Sequence, residues 1–168
     1  METQWMPPLV GGFSGGKVTW QRLEEIDYDL LGFLLSCHLI IEHYLEHFIA
    51  TYTRAPFQWE GAKLTFGQKI ALISKLPFKE PYNLPPTIKH LNTLRNKFSH
   101  NINTTLTEQD LLPFRQFLEK CIEDKSKVPS KPKELLSMYM GFVCAYFASS
   151  ISHAAQFISS PTDGASSN

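Results

Sequence analysis

The sequence predicts an all-α fold, an antiparallel helical bundle of about five helices, and three observations predict it. Apolar residues recur at three- and four-residue spacing through most of the chain, the period of amphipathic helices. The breaks in that pattern fall on prolines: Pro56, Pro77, the pair Pro85 and Pro86, and the Lys/Pro-rich stretch from Ser126 to Pro132. Helix-start signals sit where the pattern resumes, most clearly Thr107 with Asp110 at capping-box spacing.

Residues 1–16 hold Pro7, Pro8 and the run Gly11-Gly12-Phe13-Ser14-Gly15-Gly16, and read as a flexible N-terminal arm. The glycine run has only a superficial likeness to a phosphate loop, because no strand precedes it and no Lys-Ser/Thr follows in place. Thr19 is the expected N-cap of a long first helix ending near Tyr52, with a wide face of Leu23, Ile26, Leu30, Leu31, Leu34, Ile41, Leu45 and Phe48. A second helix is expected from Thr65 to Leu76, ending at Pro77. Pro85 and Pro86 open a third in its first turn, where a missing N–H costs nothing, and its stripe is Ile88, Leu91, Leu94, Phe98 and Ile102. A fourth runs from Thr107 to about Asp124.

The last helix, Leu135 to Ile158, carries no charged residue. That length would suit a membrane span, but Ser137, Ser149, Ser150, Ser152, His153 and Gln156 argue against one, and its face of Met138, Phe142, Tyr146, Phe147 and Ile151 is expected to pack on the first helix or a partner subunit. Residues 17–160 therefore read as a single helical domain, and 161–168 as a disordered tail.

The chain has 168 residues and zero formal net charge, so bulk charge gives no argument for nucleic acid. The distribution is uneven. Residues 54–100 carry Arg54, Lys63, Lys69, Lys75, Lys79, Lys89, Arg95 and Lys97 against only Glu60 and Glu80, whereas residues 17–53 are acidic. A local cationic face of this kind is the footprint of phosphate binding. Cys37, Cys121 and Cys144 show no paired spacing and read as reduced core residues, and no signal-peptide pattern opens the chain, so a cytoplasmic location is expected.

The third helix carries the chemistry. Advancing about 100° per residue from Ile88, Arg95 falls near 340°, on the shoulder of the apolar stripe. A guanidinium there is partly desolvated, cannot shed its proton and requires an anion or acceptors. The other shoulder holds Ser99, Asn92, Asn96 and His100 at roughly 20°, 40°, 80° and 120°, an arc of hydrogen-bonding groups without a carboxylate. A fixed cation with a group that titrates near neutral pH suits an anionic ligand whose proton must move, and phosphate is the obvious candidate.

Leu94-Arg95-Asn96-Lys97-Phe98-Ser99-His100-Asn101 resembles the Arg-polar-x-x-x-His signature of HEPN domains, all-α modules of prokaryotic toxin-antitoxin, abortive-infection and other defence systems. Leu64-Thr65-Phe66-Gly67-Gln68-Lys69-Ile70 resembles the short helix that precedes this motif in several branches of the family, so the resemblance covers roughly residues 20–125. It implies a metal-independent endoribonuclease without a cofactor, assembled as a homodimer with the two motifs facing each other. Arg95 would hold the scissile phosphate, His100 would act as general acid or base around the ribose 2′-hydroxyl, and Asn96 would orient the pair. Lys89, Lys97, Asn92 and Ser99 would contact the RNA backbone. Arg95 and His100 lie about 140° apart on one helix, a separation that a two-fold dimer would resolve. The implied partners are RNA, a second copy of the chain and a cognate antitoxin protein, with no membrane.

Other readings stay open at this level. His100 could cap the last carbonyls of its helix, and Arg95 could be a structural arginine paired with Glu42, Glu46 or a carboxylate between Glu108 and Glu123. Many HEPN domains are non-catalytic nucleotide-binding, regulatory or protein-interaction modules, and this is the alternative that the resemblance also implies. His43 and His47 have the i, i+4 spacing of a zinc pair beside His38, Glu42 and Glu46, but Glu-x-x-His and His-Glu-x-x-His are both absent, so no metal is expected.

Overall fold

The computed structural model describes residues 9–21, 27–52, 64–100 and 105–159. A β-hairpin comes first, β1 (Leu9–Ser14) and β2 (Lys17–Gln21), followed by α1 (Tyr28–Tyr52), α2 (Phe66–Ile73), α3 (Pro85–His100), α4 (Glu108–Cys121) and α5 (Pro132–Ser159). The architecture is the all-α bundle of five helices that the apolar periodicity predicts.

The hairpin corrects the expected arm and the expected start of α1. Gly15 and Gly16 adopt φ of +57° and +75°, the two left-handed residues of a tight hairpin turn. Val10 then pairs with Trp20 and Phe13 with Val18. Thr19 is consequently a strand residue, and its hydroxyl donates to the Gly12 carbonyl across the ladder at 3.1 Å. Asp27 caps α1 in its place, its Oδ1 accepting from the Leu30 N–H at 2.9 Å. Residues 1–8 and the tail 161–168 lie outside the described residues.

The cap signal of α4 is realised, Thr107 and Asp110 forming a reciprocal capping box, and Thr65 and Gln68 form another on α2. A short 3-10 turn at Lys125–Lys127 lies in the connection from α4 to α5. Arg115 on α4 donates to the Pro129 carbonyl at 3.0 Å and Val128 is buried, so the connection is tied down along its course.

Side-chain contacts give the helix directions. His90 and Lys97 on α3 both meet Asp110 at the start of α4, while Cys121 at its end meets Pro81, so α3 and α4 run antiparallel. By contrast, Lys133 sits over the Phe33 ring near the starts of α1 and α5, and Phe147 packs on Tyr44 and Phe48 farther along both. α1 and α5 therefore run in the same direction, which corrects the antiparallel arrangement expected for this pair and which residues 122–131 allow by returning the chain before α5 begins. α5 is long and apolar enough to cross a membrane by length and composition. Its Leu135, Leu136, Tyr139, Val143 and Phe147 are fully buried within the bundle, and a core helix passes the same test.

Two features hold the centre. Two aromatic pairs lie there, Phe48 with Phe147 at 5.0 Å between ring centres and Phe114 with Tyr139 at 4.7 Å. The Tyr139 hydroxyl donates to Thr87 Oγ1 at 3.0 Å, and Thr87 donates to the Leu84 carbonyl at 2.9 Å, so both of these buried hydroxyls are paired. Burial pushes the Tyr139 hydroxyl well above the usual phenol range. Cys37, Cys121 and Cys144 are all free thiols, and burial, with Cys144 nearby, pushes the Cys37 thiol up to about 12. Replacing Phe147 by Ala should cost about 3–5 kcal/mol and Tyr139 by Phe about 1 kcal/mol in urea unfolding, because the first opens a cavity between α1 and α5 and the second removes one hydrogen bond.

Candidate functional site

α3 is oriented by its buried stripe. Leu84, Ile88, Leu91 and Leu94 have 1% exposure or less and Phe98 has 9%. This stripe packs against α1, α2 and α4, and it leaves Arg95 half-buried at its edge. Arg95 Nη1 donates to Asn96 Oδ1 at 3.1 Å, and Ser99 Oγ donates to the Arg95 carbonyl at 2.7 Å. Asn92, three residues before Arg95 and so its neighbour along the helix, accepts at Oδ1 from His38 Nε2 at 3.2 Å. Arg95, Asn96, Asn92 and Ser99 thus share one flank of α3, which corrects their expected placement on opposite shoulders of the stripe.

His38 and Lys69 complete the inner side of this flank, and neither is among the sequence-predicted site residues. His38 is 6% exposed, with its ring stacked on Phe66 at 4.0 Å. Its pKa is lowered first by burial and further by the Arg95 and Lys69 cations, against the opposing effects of the Asn92 hydrogen bond and Glu42. It is a neutral imidazole at physiological pH. Lys69 is buried at 5% exposure and donates to Glu42 at 2.9 Å and Glu46 at 2.5 Å. Burial alone would lower the Lys69 pKa, but the hydrogen bonds to Glu46 and Glu42 outweigh it and raise it.

That triad bears on the alternative reading of Arg95. Glu42 and Glu46, the carboxylates that a structural arginine would take, are held by Lys69, and Asp110 is held by Lys97. Among the described residues no carboxylate forms an ion pair with Arg95. The fold leaves this guanidinium with an amide oxygen as its described partner.

The other predicted residues separate. Lys97 faces α4, about 200° round the helix from Arg95, and its Nζ lies 2.9 Å from both Asp110 oxygens. Burial acts to raise the Asp110 pKa, but Lys97 and the Thr107 donors more than offset it and hold the carboxyl low. Lys89 is exposed on the Asn96 side of the helix. His100 is the last residue of α3, and its side chain lies outside the described residues.

On the flank of α3 toward α4, a cleft of about 390 Å³ lies among Asn83, Thr87, His90, Gln116, Phe117 and Lys120. The His90 imidazole donates from Nε2 to the Asp110 carbonyl at 2.7 Å, which fixes its tautomer. His43 and His47 stack edge-on at 4.5 Å on the outer face of α1, with Glu46 between them in sequence as in the inverted His-x-x-Glu-His zinc pattern. Glu46, however, is committed to Lys69, and among the described residues no three metal-ligating side chains converge.

No family model, curated protein or solved structure matches this chain.

The Glu42–Lys69–Glu46 triad should be visible in acid. The hydrogen bond from Lys69 holds the Glu46 carboxyl below its usual range, so this contribution to stability is present above the unfolded carboxylate pKa and is lost as pH falls through the lower folded one. Thermal unfolding followed from about pH 6 to about pH 3 should therefore show a steeper loss for wild type than for Lys69→Met. Asp110 titrates in both proteins, so the difference between the two curves isolates the triad.

Proposed function

We propose that this chain is a metal-independent endoribonuclease of the HEPN type, acting as the toxin of a toxin-antitoxin or phage-defence system. The observation that carries the reading is Arg95, a half-buried cation without a described carboxylate partner, on a helix flank with the hydrogen-bonding side chains Asn92, Asn96 and Ser99. A permanently charged guanidinium in such a place is suited to a phosphodiester, whose oxygens replace the missing carboxylate. In this reading Arg95 holds the scissile phosphate and stabilises the charge that builds on it in the transition state. Asn96 orients the guanidinium through its Oδ1, and His100 exchanges a proton with the 2′-hydroxyl. Lys89 adds attraction to the RNA backbone. Lys97 contributes less, because Asp110 already neutralises it.

Attack by the 2′-oxygen on phosphorus with departure of the 5′-oxygen leaves a 2′,3′-cyclic phosphate and needs no metal. Two such motifs, brought together in a homodimer through α3, would place the arginine of one copy near the histidine of the other. The partners of this reading are RNA, a second copy of the chain and a cognate antitoxin, in the cytoplasm.

A second reading, a non-catalytic interaction module, is favoured by exposed apolar residues on α1, with Leu39 at 65% and Ile40 at 45% exposure. The two readings part on one experiment. Purified wild type incubated with structured RNA in EDTA should produce fragments with 2′,3′-cyclic phosphate ends, and His100→Ala should retain its oligomeric state and helical content while losing at least about a hundredfold in rate. Cleavage by His100→Ala at the wild-type rate would remove the nuclease assignment, and no turnover by either protein would favour the interaction module.

A further inference from the structure

The interior side of the Arg95 flank contains a device for orienting Asn92. A carboxamide is nearly symmetric in shape, and its hydrogen-bond partners decide which way its oxygen and nitrogen point. Here Asn92 Oδ1 lies 3.2 Å from His38 Nε2. A carbonyl oxygen only accepts, so His38 must carry its proton on Nε2. The ring itself is held in place, since it is buried and stacked on Phe66 at 4.0 Å. With its oxygen turned inward to His38, the Asn92 amide has its two N–H donors directed away from His38. Arg95 lies three residues along the same helix, so both side chains occupy neighbouring positions. Lys69 occupies Glu42 and Glu46, which leaves neither carboxylate in an ion pair with Arg95.

We propose that His38 is a positioning residue for an anion site formed by Asn92 and Arg95: its Nε2–H fixes the Asn92 oxygen inward, so that the Asn92 amide N–H groups and the Arg95 guanidinium bind oxygens of one phosphate group together. The inference deepens the nuclease reading by adding to Arg95 a partner about one turn away on α3 and a buried histidine that acts through it, and it rests on that reading for the identity of the phosphate as RNA. His38 does not reach the substrate. Its role is distinct from that of His100, which exchanges protons.

The test uses isotopically labelled full-length protein titrated with inorganic phosphate, following the Asn92 side-chain amide and the Arg95 Nε–H signals by NMR. Wild type should show both signals moving together, and its His38 nitrogen shifts should report the Nε2–H tautomer. His38→Leu should weaken phosphate binding about tenfold, the loss expected for one misdirected charge-assisted contact. His38→Gln retains an N–H where Nε2 stood and should stay within about threefold of wild type. Phosphate affinity unchanged in a helical His38→Leu, an Asn92 amide that does not respond in wild type, or an Nδ1–H tautomer would each overturn the proposal. Should His38→Leu not fold, the tautomer and the His38→Gln titration still decide it. RNA cleavage measured in parallel separates the two claims: phosphate shifts without cleavage would remove the nuclease and leave the role of His38 standing, whereas cleavage with wild-type phosphate affinity in His38→Leu would do the reverse.

Discussion

The burial of one side of α3 is the constraint on which the rest of the structure depends. Leu84, Ile88, Leu91 and Leu94 lie at the meeting point of α1, α2 and α4, and at roughly 1.5–3 kcal/mol for each fully buried aliphatic side chain this stripe overrides any preference of the polar residues around it. Once the stripe is seated, helical geometry leaves no choice about the rest. Arg95 must lie at the edge of the core, Asn92 must reach α1, and Lys97 must face α4. The side chains that meet α3 then adapt to it: His38 meets Asn92, and Asp110 meets Lys97.

Charge is arranged so that the carboxylates near this helix are consumed before they reach Arg95. Lys69 is almost fully buried, and a buried ammonium without partners would be strongly disfavoured. Two carboxylates from successive turns of α1 satisfy it, and the same contacts pin the short α2 against α1. Asp110 serves two roles as well, completing the capping box of α4 and receiving Lys97. The consequence for the candidate site is electrostatic. A cation at the margin of the core, with amides and a neutral imidazole around it, retains more of its field than one facing a carboxylate.

Much of this was legible in the sequence because it rests on local patterns. The stripe of α3, the prolines that open it and the capping boxes at Thr65 and Thr107 each follow from spacing within a few residues. The hairpin was missed because a glycine run beside prolines suggests a flexible segment, yet the adjacent Gly15 and Gly16 between Val10, Phe13, Val18 and Trp20 are also a two-residue turn between alternating strands. His38 carried a readable signal too. It sits between Leu34 and Ile41 at helical spacing on the buried face of α1, so it belonged with the core and not with the exposed His43 and His47. The pairings of Lys97 with Asp110 and of Lys69 with Glu42 and Glu46 were not legible, because a charge count along the chain does not say which charges face each other. The cationic excess of residues 54–100 shrinks accordingly, since two of its lysines are neutralised by carboxylates from α1 and α4. The common direction of α1 and α5 was likewise hidden, because it depends on the path taken by residues 122–131.

The two ends of the Arg-to-His motif stand at different places on α3, and this bears on how such a site would work. Arg95 belongs to the interior of α3, with helix on both sides and a packed stripe beneath it, so its backbone position is fixed to the precision of the core. His100 is the last described residue of α3, five positions further along and past the buried stripe of Ile88, Leu91 and Leu94. A phosphate-holding group gains from rigidity, because its contribution depends on preorganised charge. A proton-transferring group must instead meet an atom whose position is set by the substrate. On the proposed reading, the bundle therefore fixes the half of the site that recognises the anion, while the geometry of the proton-transferring half is completed outside the α3 packing, where a second copy of the helix would supply it.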